Sequence, residues 1–116
     1  MRILVADDEH DAVLTLTALL RDDGYEVRGV YRGDSVLDAV AEFAPDAVLL
    51  DLGMPHMSGY QVARELRERY ASARPVLIAV TGRTQAFDRA LAKLAGFDHY
   101  VTKPYDPKAL LELIQR

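Results

Sequence analysis

Apolar and polar positions along the chain follow two alternating periods. Short apolar runs are separated by longer segments in which apolar residues recur every three or four positions. Ile3 to Ala6 is the first run and predicts a strand, ending at Asp7, Asp8 and Glu9. Val13, Leu16, Thr17 and Leu20 then share one face of a predicted helix, with Gly24 placed as its stop. Glu26 to Tyr31 alternates, with Val27 and Val30 as its apolar members, and suits a strand nearer a sheet edge. A second helix opens at Gly33 and Asp34, turns Val36, Leu37, Val40 and Phe43 inward, and ends at Pro45.

Val48, Leu49 and Leu50 form an unbroken apolar run within Ala47 to Pro55, as expected of a central parallel strand covered on both faces. Asp51 stands where the run ends, and Gly53 and Pro55 stop it. Ser58 and Gln61 have the spacing of a capping box for a third helix that buries Val62, Ala63, Leu66 and Tyr70. Pro75 to Val80 predicts a fourth strand ending at Thr81 and Gly82. The fourth helix is expected to turn Phe87, Ala90, Leu91 and Leu94 inward and to stop at Gly96. His99 to Thr102 reads as a fifth strand, leading to Lys103 and Pro104. Asp106 caps a last helix with Pro107 in its first turn, and that helix is expected to bury Leu110, Leu111 and Ile114.

A strand followed by an amphipathic helix, five times over, predicts an α/β fold. The expected form is a doubly wound parallel five-stranded sheet with helices on both faces. Composition leaves this unchanged: 116 residues, 50% hydrophobic and 28% charged, suit one soluble domain, 1–116. The absence of cysteine excludes thiol chemistry. No apolar run approaches the ~20 residues of a membrane helix and no signal peptide is evident, so a cytoplasmic location is expected, with no membrane partner. A net charge of −4 without a basic block argues against direct nucleic-acid binding.

In such a sheet, chemistry collects beyond the carboxyl ends of the strands, and the first and third strands are neighbours at the switch point. That brings Asp7, Asp8 and Asp51 together. Two carboxylates about 4 Å apart repel by roughly 4 kcal/mol at an effective dielectric of ~20. Either one acid stays protonated or a cation fills the gap. All-oxygen ligands with an open position suit Mg²⁺. Lys103 supplies a positive charge, Thr81 a hydroxyl, and Gly53 and Gly82 unobstructed backbone N–H groups, a set fit to hold a phosphoryl group. Asp51 is the candidate nucleophile. Taken singly, each of these residues reads as a cap, a turn or a solvated charge; the pattern rests on all of them falling at strand ends. His10, His56 and His99 lack metal-ligand spacing and read as surface or strand-end residues.

The chain resembles a response-regulator receiver domain from end to end, through Leu4 to Glu9, Leu49 to Pro55, Thr81-Gly82 and Tyr100 to Pro104. The stretch from Gly96 to Pro107 further resembles receivers attached to hybrid sensor kinases. The resemblance implies a flavodoxin-like (βα)5 fold with strand order 2-1-3-4-5. It also implies a two-component or phosphorelay role in which Asp51 accepts a phosphoryl group from a sensor histidine kinase or a histidine phosphotransfer protein. Asp8, Asp51 and the Gly53 carbonyl would ligate Mg²⁺, with Asp7 acting through a metal-bound water. Lys103 and Thr81 would hold phosphoryl oxygens. Movement of Thr81 would let Tyr100 turn inward and reshape the face of the fourth helix, fifth strand and fifth helix, with the downstream output partner left open. A cis Lys103-Pro104 peptide is implied as well. Gly53, Gly82 and Arg83 depart from common usage in the family, and Gly53 and Arg83 are expected to govern the lifetime of the acyl phosphate.

A self-phosphorylating switch, rather than an enzyme turning over an external substrate, is therefore the leading expectation. The alternative is a non-phosphorylated pseudo-receiver interaction module, against which the full residue set argues. A phosphohydrolase of the haloacid-dehalogenase type would want a second Asp where Gly53 stands. A nucleotide-binding flavodoxin-like protein would want glycines where Asp7, Asp8 and Glu9 repel phosphate.

Overall fold

The computed structural model describes residues 1–54, 56–70, 75–82 and 86–115, the side chains of 86 and 87 excepted. The elements are β1 (Arg2–Ala6), α1 (His10–Asp22), β2 (Glu26–Val30), α2 (Gly33–Phe43), β3 (Ala47–Asp51), α3 (Gly59–Arg69), β4 (Val76–Thr81), α4 (Ala86–Ala95), β5 (His99–Thr102) and α5 (Pro107–Gln115). The five strands form one parallel sheet in the order β2-β1-β3-β4-β5. Both the α/β class and the expected strand order hold.

The continuous apolar runs have the cause anticipated for them. Successive strand residues point to opposite faces, and both faces are covered. Leu4, Val48, Leu50, Leu77 and Ala79 pack on one side with Val36, Val40, Val62, Leu66 and Ala92 of α2, α3 and α4. Ile3, Val5, Leu49, Ile78 and Val80 pack on the other with Val13, Leu16, Leu20, Leu110 and Ile114 of α1 and α5.

Local chemistry sets the helix ends. Ser58 Oγ accepts the Gln61 N–H at 3.3 Å, and Gln61 Oε1 accepts the Ser58 N–H at 3.1 Å, completing the expected capping box at α3. α1 and α4 close with glycines at φ 94° and 111°, Gly24 and Gly96. In each case the glycine N–H bonds back to the third carbonyl before it (Arg21, Lys93) and the next N–H to the fifth before it (Leu20, Ala92), a Schellman ending. At the start of α5 the Lys108 N–H donates to Asp106 Oδ1 at 3.0 Å.

α4 departs from expectation. Leu94 is 83% exposed, Leu91 and Ala90 also face outward, and Asp88, Ala92 and Ala95 are buried instead. Phe87 was also expected inside, and its side chain lies outside the described residues. The space is already taken by Leu66, Leu77, Ala79 and Phe97, so the inner face of α4 accepts alanines where leucines were expected. Phe43, expected inside α2, is half-buried, with the Arg2 and Arg28 guanidinium groups 5.6 and 4.9 Å from its ring centre. Leu111 and Tyr70 are half-buried at the margins of the two cores.

Arg67 fastens the end of the sheet remote from the acids. Its guanidinium donates to the carbonyls of Gly96 (2.9 Å) and Pro75 (3.1 Å) and to Asp98 Oδ2 (2.7 Å). The same Asp98 oxygen accepts the Leu77 N–H at 2.8 Å. No described helix is long and apolar enough to cross a membrane.

The inverted face of α4 gives a direct comparison. Leu66 is fully buried, and Leu66→Ala is expected to lower stability by about 2–5 kcal/mol. Leu94→Ala, on a face first read as core, is expected to change it by less than about 0.5 kcal/mol. Urea unfolding of the two variants measures both.

Candidate functional site

Strand register builds the site. Ala6 pairs with both Val30 and Leu50, Asp51 with Val80, and Thr81 with Thr102. Asp7, Asp51, Thr81 and Lys103 therefore leave the sheet along one edge. The Asp7 N–H donates to the Val30 carbonyl at 3.2 Å, so the turn after β1 starts from the end of β2.

At that edge the Lys103 ammonium donates to Asp7 Oδ2 at 2.9 Å and stands 3.7 Å from Asp51 Oδ2. Asp7 Oδ1 accepts the Glu9 N–H at 3.1 Å, and Asp51 Oδ1 accepts the Gly53 N–H at 3.1 Å. Asp7, Asp8 and Asp51 each offer a carboxylate oxygen, and the three oxygens lie within 4.8 Å of one another. One ammonium does not balance three carboxylates. The donors are all oxygen and converge on one point, which fits a hard divalent cation. No histidine joins this group among the described residues.

The two inner acids are driven apart in acidity. Burial pushes the Asp51 carboxyl up from 3.8 to about 6, the neighbouring Asp7 charge adds to this, and the Gly53 N–H and Lys103 oppose it. Burial acts on Asp7 in the same direction, but the bonds from Lys103 and the Glu9 N–H outweigh it and hold that carboxyl below its ordinary value. Burial would lower Lys103, yet the bond to Asp7 and the charge of Asp51 raise it. The low-pH state of the site therefore has Asp7 ionised against Lys103 while Asp51 keeps its proton.

Thr81 ends β4 and is 3% exposed, and its carbonyl accepts the Lys103 N–H at 2.7 Å. The Lys103-Pro104 peptide is cis, as expected. Tyr100 on β5 pairs with Ala79 on β4, is half-buried against the core that α4 shares, and carries the Arg89 guanidinium 4.6 Å from its ring centre. Among the described residues, a Cβ on Gly53 would find only Asp51 Oδ1, at 3.9 Å, and one on Gly82 nothing within 4 Å. Pro55 and Arg83 lie outside the described residues.

A cavity of about 480 Å³ adjoins the acids. Asp7, Asp51 and Lys103 line one end, and Ala12, Leu16 and Tyr105 are among the residues that continue it along α1. Burial also raises the Tyr105 hydroxyl. Tyr105, Arg89 and the ring pair of His10 and Tyr31, stacked with centroids 4.0 Å apart, were not singled out from the sequence as parts of the site. Their contacts join residues distant along the chain, and only strand adjacency signals them.

The chain's likenesses agree with this geometry. The family profile described as response regulator receiver domain matches residues 3–115. The DNA-binding response regulator MtrA of Mycolicibacterium smegmatis is 39% identical over 114 residues, 98% of this chain and 49% of its own length. The chain thus spans about half the length of the curated relatives it matches. Among solved structures, the BeF3-activated DrrB receiver domain is 30% identical with a TM-score of 0.88, covering 99% of this chain and 94% of that one. A CheY-like receiver domain protein from Methanospirillum hungatei is 28% identical with a TM-score of 0.89, covering 98% and 90%.

The raised Asp51 carboxyl fixes the sign of a pH effect in chelator-treated protein. A folded-state value above the unfolded one means that Asp51 lowers stability as pH rises from about 4 to about 6. Asp51→Asn is therefore expected to melt with the wild type near pH 4. At pH 7 it is expected to be more stable by about 1–2 kcal/mol, allowing for solvent screening at a partly open site. Thermal unfolding at the two pH values measures this, and equal melting at pH 7 would mean that burial and the Asp7 charge do not disfavour ionised Asp51.

Proposed function

This chain belongs to the response regulator receiver domain family, and from that premise we propose that Asp51 is the phosphoacceptor of a two-component or phosphorelay switch. The observation that carries the reading is the Lys103 ammonium held 2.9 Å from Asp7 and 3.7 Å from Asp51 beside an open cavity. An Asp51 carboxylate oxygen attacks the phosphorus of a phosphohistidine. The O–P bond forms as the N–P bond breaks, and the donor imidazole leaves with the electron pair. The donor is a sensor histidine kinase or a histidine phosphotransfer protein, whose side chain enters through the cavity beside α1.

Lys103 pairs with one phosphoryl oxygen and the Thr81 hydroxyl bonds another, which holds the phosphoryl group in line with Asp51. Asp8, Asp51 and the Gly53 carbonyl would hold Mg²⁺ directly, and Asp7 would do so through water. When bound, the cation supplies positive charge against the carboxylates and the phosphoryl oxygens. New charge at Asp51 draws Thr81 toward it, and Tyr100 follows into the space beneath α4. This changes the face formed by α4, β5 and α5.

Residues 1–116 act as one receiver unit in the cytoplasm. The purpose is signalling rather than turnover of an external substrate. The whole set of Asp7, Asp8, Asp51, Thr81 and Lys103 at one edge supports this over a pseudo-receiver. With no side chain, Gly53 gives a phosphohydrolase of the haloacid-dehalogenase type no general acid. The MtrA relatives are named DNA-binding, whereas the net charge of −4 gives this chain no basic footprint of its own.

Incubation with acetyl phosphate and Mg²⁺, followed by intact mass, tests the reading. The wild type is expected to gain one phosphoryl group, absent when Mg²⁺ is left out and absent in Asp51→Asn. No gain with Mg²⁺ bound would restrict the donor to a phosphohistidine protein, while no gain and no Mg²⁺ binding would favour the interaction module. Gly53→Asn, built into open space, is expected to change the decay rate of the acyl phosphate without lowering the melting temperature. Equal decay would remove Gly53 as a determinant of lifetime.

A further inference from the structure

Asp8 differs from the other two acids. Asp7 and Asp51 are fixed by hydrogen bonds and by Lys103. Asp8 is exposed, and no hydrogen bond or ion pair holds its carboxylate among the described residues. Its place depends on the backbone around it, and two tethers bracket that backbone. On one side the Asp7 N–H bonds to the Val30 carbonyl at 3.2 Å. On the other the His10 ring stacks on Tyr31, with centroids 4.0 Å apart and planes 19° from parallel.

Both tethers end on consecutive residues at the carboxyl end of β2. Tyr31 is a firm platform, because it is itself packed against the core shared by α1 and α5. Asp7 Oδ1 accepts the Glu9 N–H across Asp8 at 3.1 Å, but the Glu9 side chain, at the N-cap, makes no cap hydrogen bond, so past Glu9 the stack is the side-chain tether of the first turn among the described residues. His10 is exposed and leaves its ring free to stack rather than bury.

We propose that the His10–Tyr31 ring stack is the positioning element that holds Asp8 toward the cation site. The proposal rests on the Mg²⁺ reading above. Neither ring touches the reacting atoms. The stack acts by limiting the positions open to the Asp8 backbone, so that the three carboxylate oxygens remain within reach of one ion. The interaction required is between ring faces, so a phenyl ring serves in place of the imidazole.

Calorimetric titration of the full chain with Mg²⁺ alone, beside melting in chelator, tests this. His10→Ala is expected to weaken Mg²⁺ binding about tenfold with an unchanged melting temperature in chelator. His10→Phe, which cannot ligate a metal, is expected to bind as the wild type does, and Tyr31→Ala to weaken Mg²⁺ binding as His10→Ala does while also melting lower in chelator, because its ring packs against the core. Wild-type affinity in His10→Ala would overturn the proposal. So would His10→Phe as weak as His10→Ala, or a fall in the chelator stability of His10→Ala that accounts for its lost affinity. Absence of Mg²⁺ binding in the wild type would instead overturn the function proposed above and this inference with it.

Discussion

Like charges brought together at one edge of a parallel sheet are the constraint around which this molecule is arranged. Left alone, three carboxylates this close would protonate or separate. Separation is closed to Asp7 and Asp51, which are anchored to adjacent central strands whose register is set by the core on both faces, and protonation of Asp51 relieves the crowding only at low pH. Fully buried Leu4, Leu49, Leu50 and Ile78 hold the register, so apolar packing sustains an electrostatic arrangement that is unfavourable by itself. Lys103 relieves part of it, holding Asp7 ionised, while burial leaves Asp51 resisting ionisation. The remaining imbalance is one that a divalent cation would offset.

Reading the sequence worked where residue type and position obey one strong rule. Asp7, Asp51, Thr81 and Lys103 were legible because each ends an apolar run, and in a parallel sheet those ends share an edge. Gly24, Gly96, Ser58 and Gln61 were legible because helix termini have few chemical solutions. The rotation of α4 was not legible. Hydrophobic periodicity favours Leu91 and Leu94 over alanines, but the helix lies on a surface already filled by Leu66, Leu77 and Phe97, where close approach favours Ala92 and Ala95. Local pattern cannot report how much room a neighbouring element leaves. The pairing of His10 with Tyr31 was hidden for a related reason: it follows from β1 lying beside β2, and neither residue announces it.

Arg67 has a mechanical consequence for α4. Its bond to the Gly96 carbonyl ties the carboxyl end of that helix to α3, and its bond to Pro75 ties the same point to the entrance of β4. The other end of the helix, Ala86, follows Thr81 by five residues along the chain. A helix of ten residues is about 15 Å long. Pinned at one end, it behaves as a lever with its fulcrum at Gly96: a tilt of a few degrees leaves the base still and displaces the tip most. Leu94, outward-facing near the fulcrum, would travel little, Leu91 at mid-helix about half as far as the tip, and the first turn would sweep the widest arc.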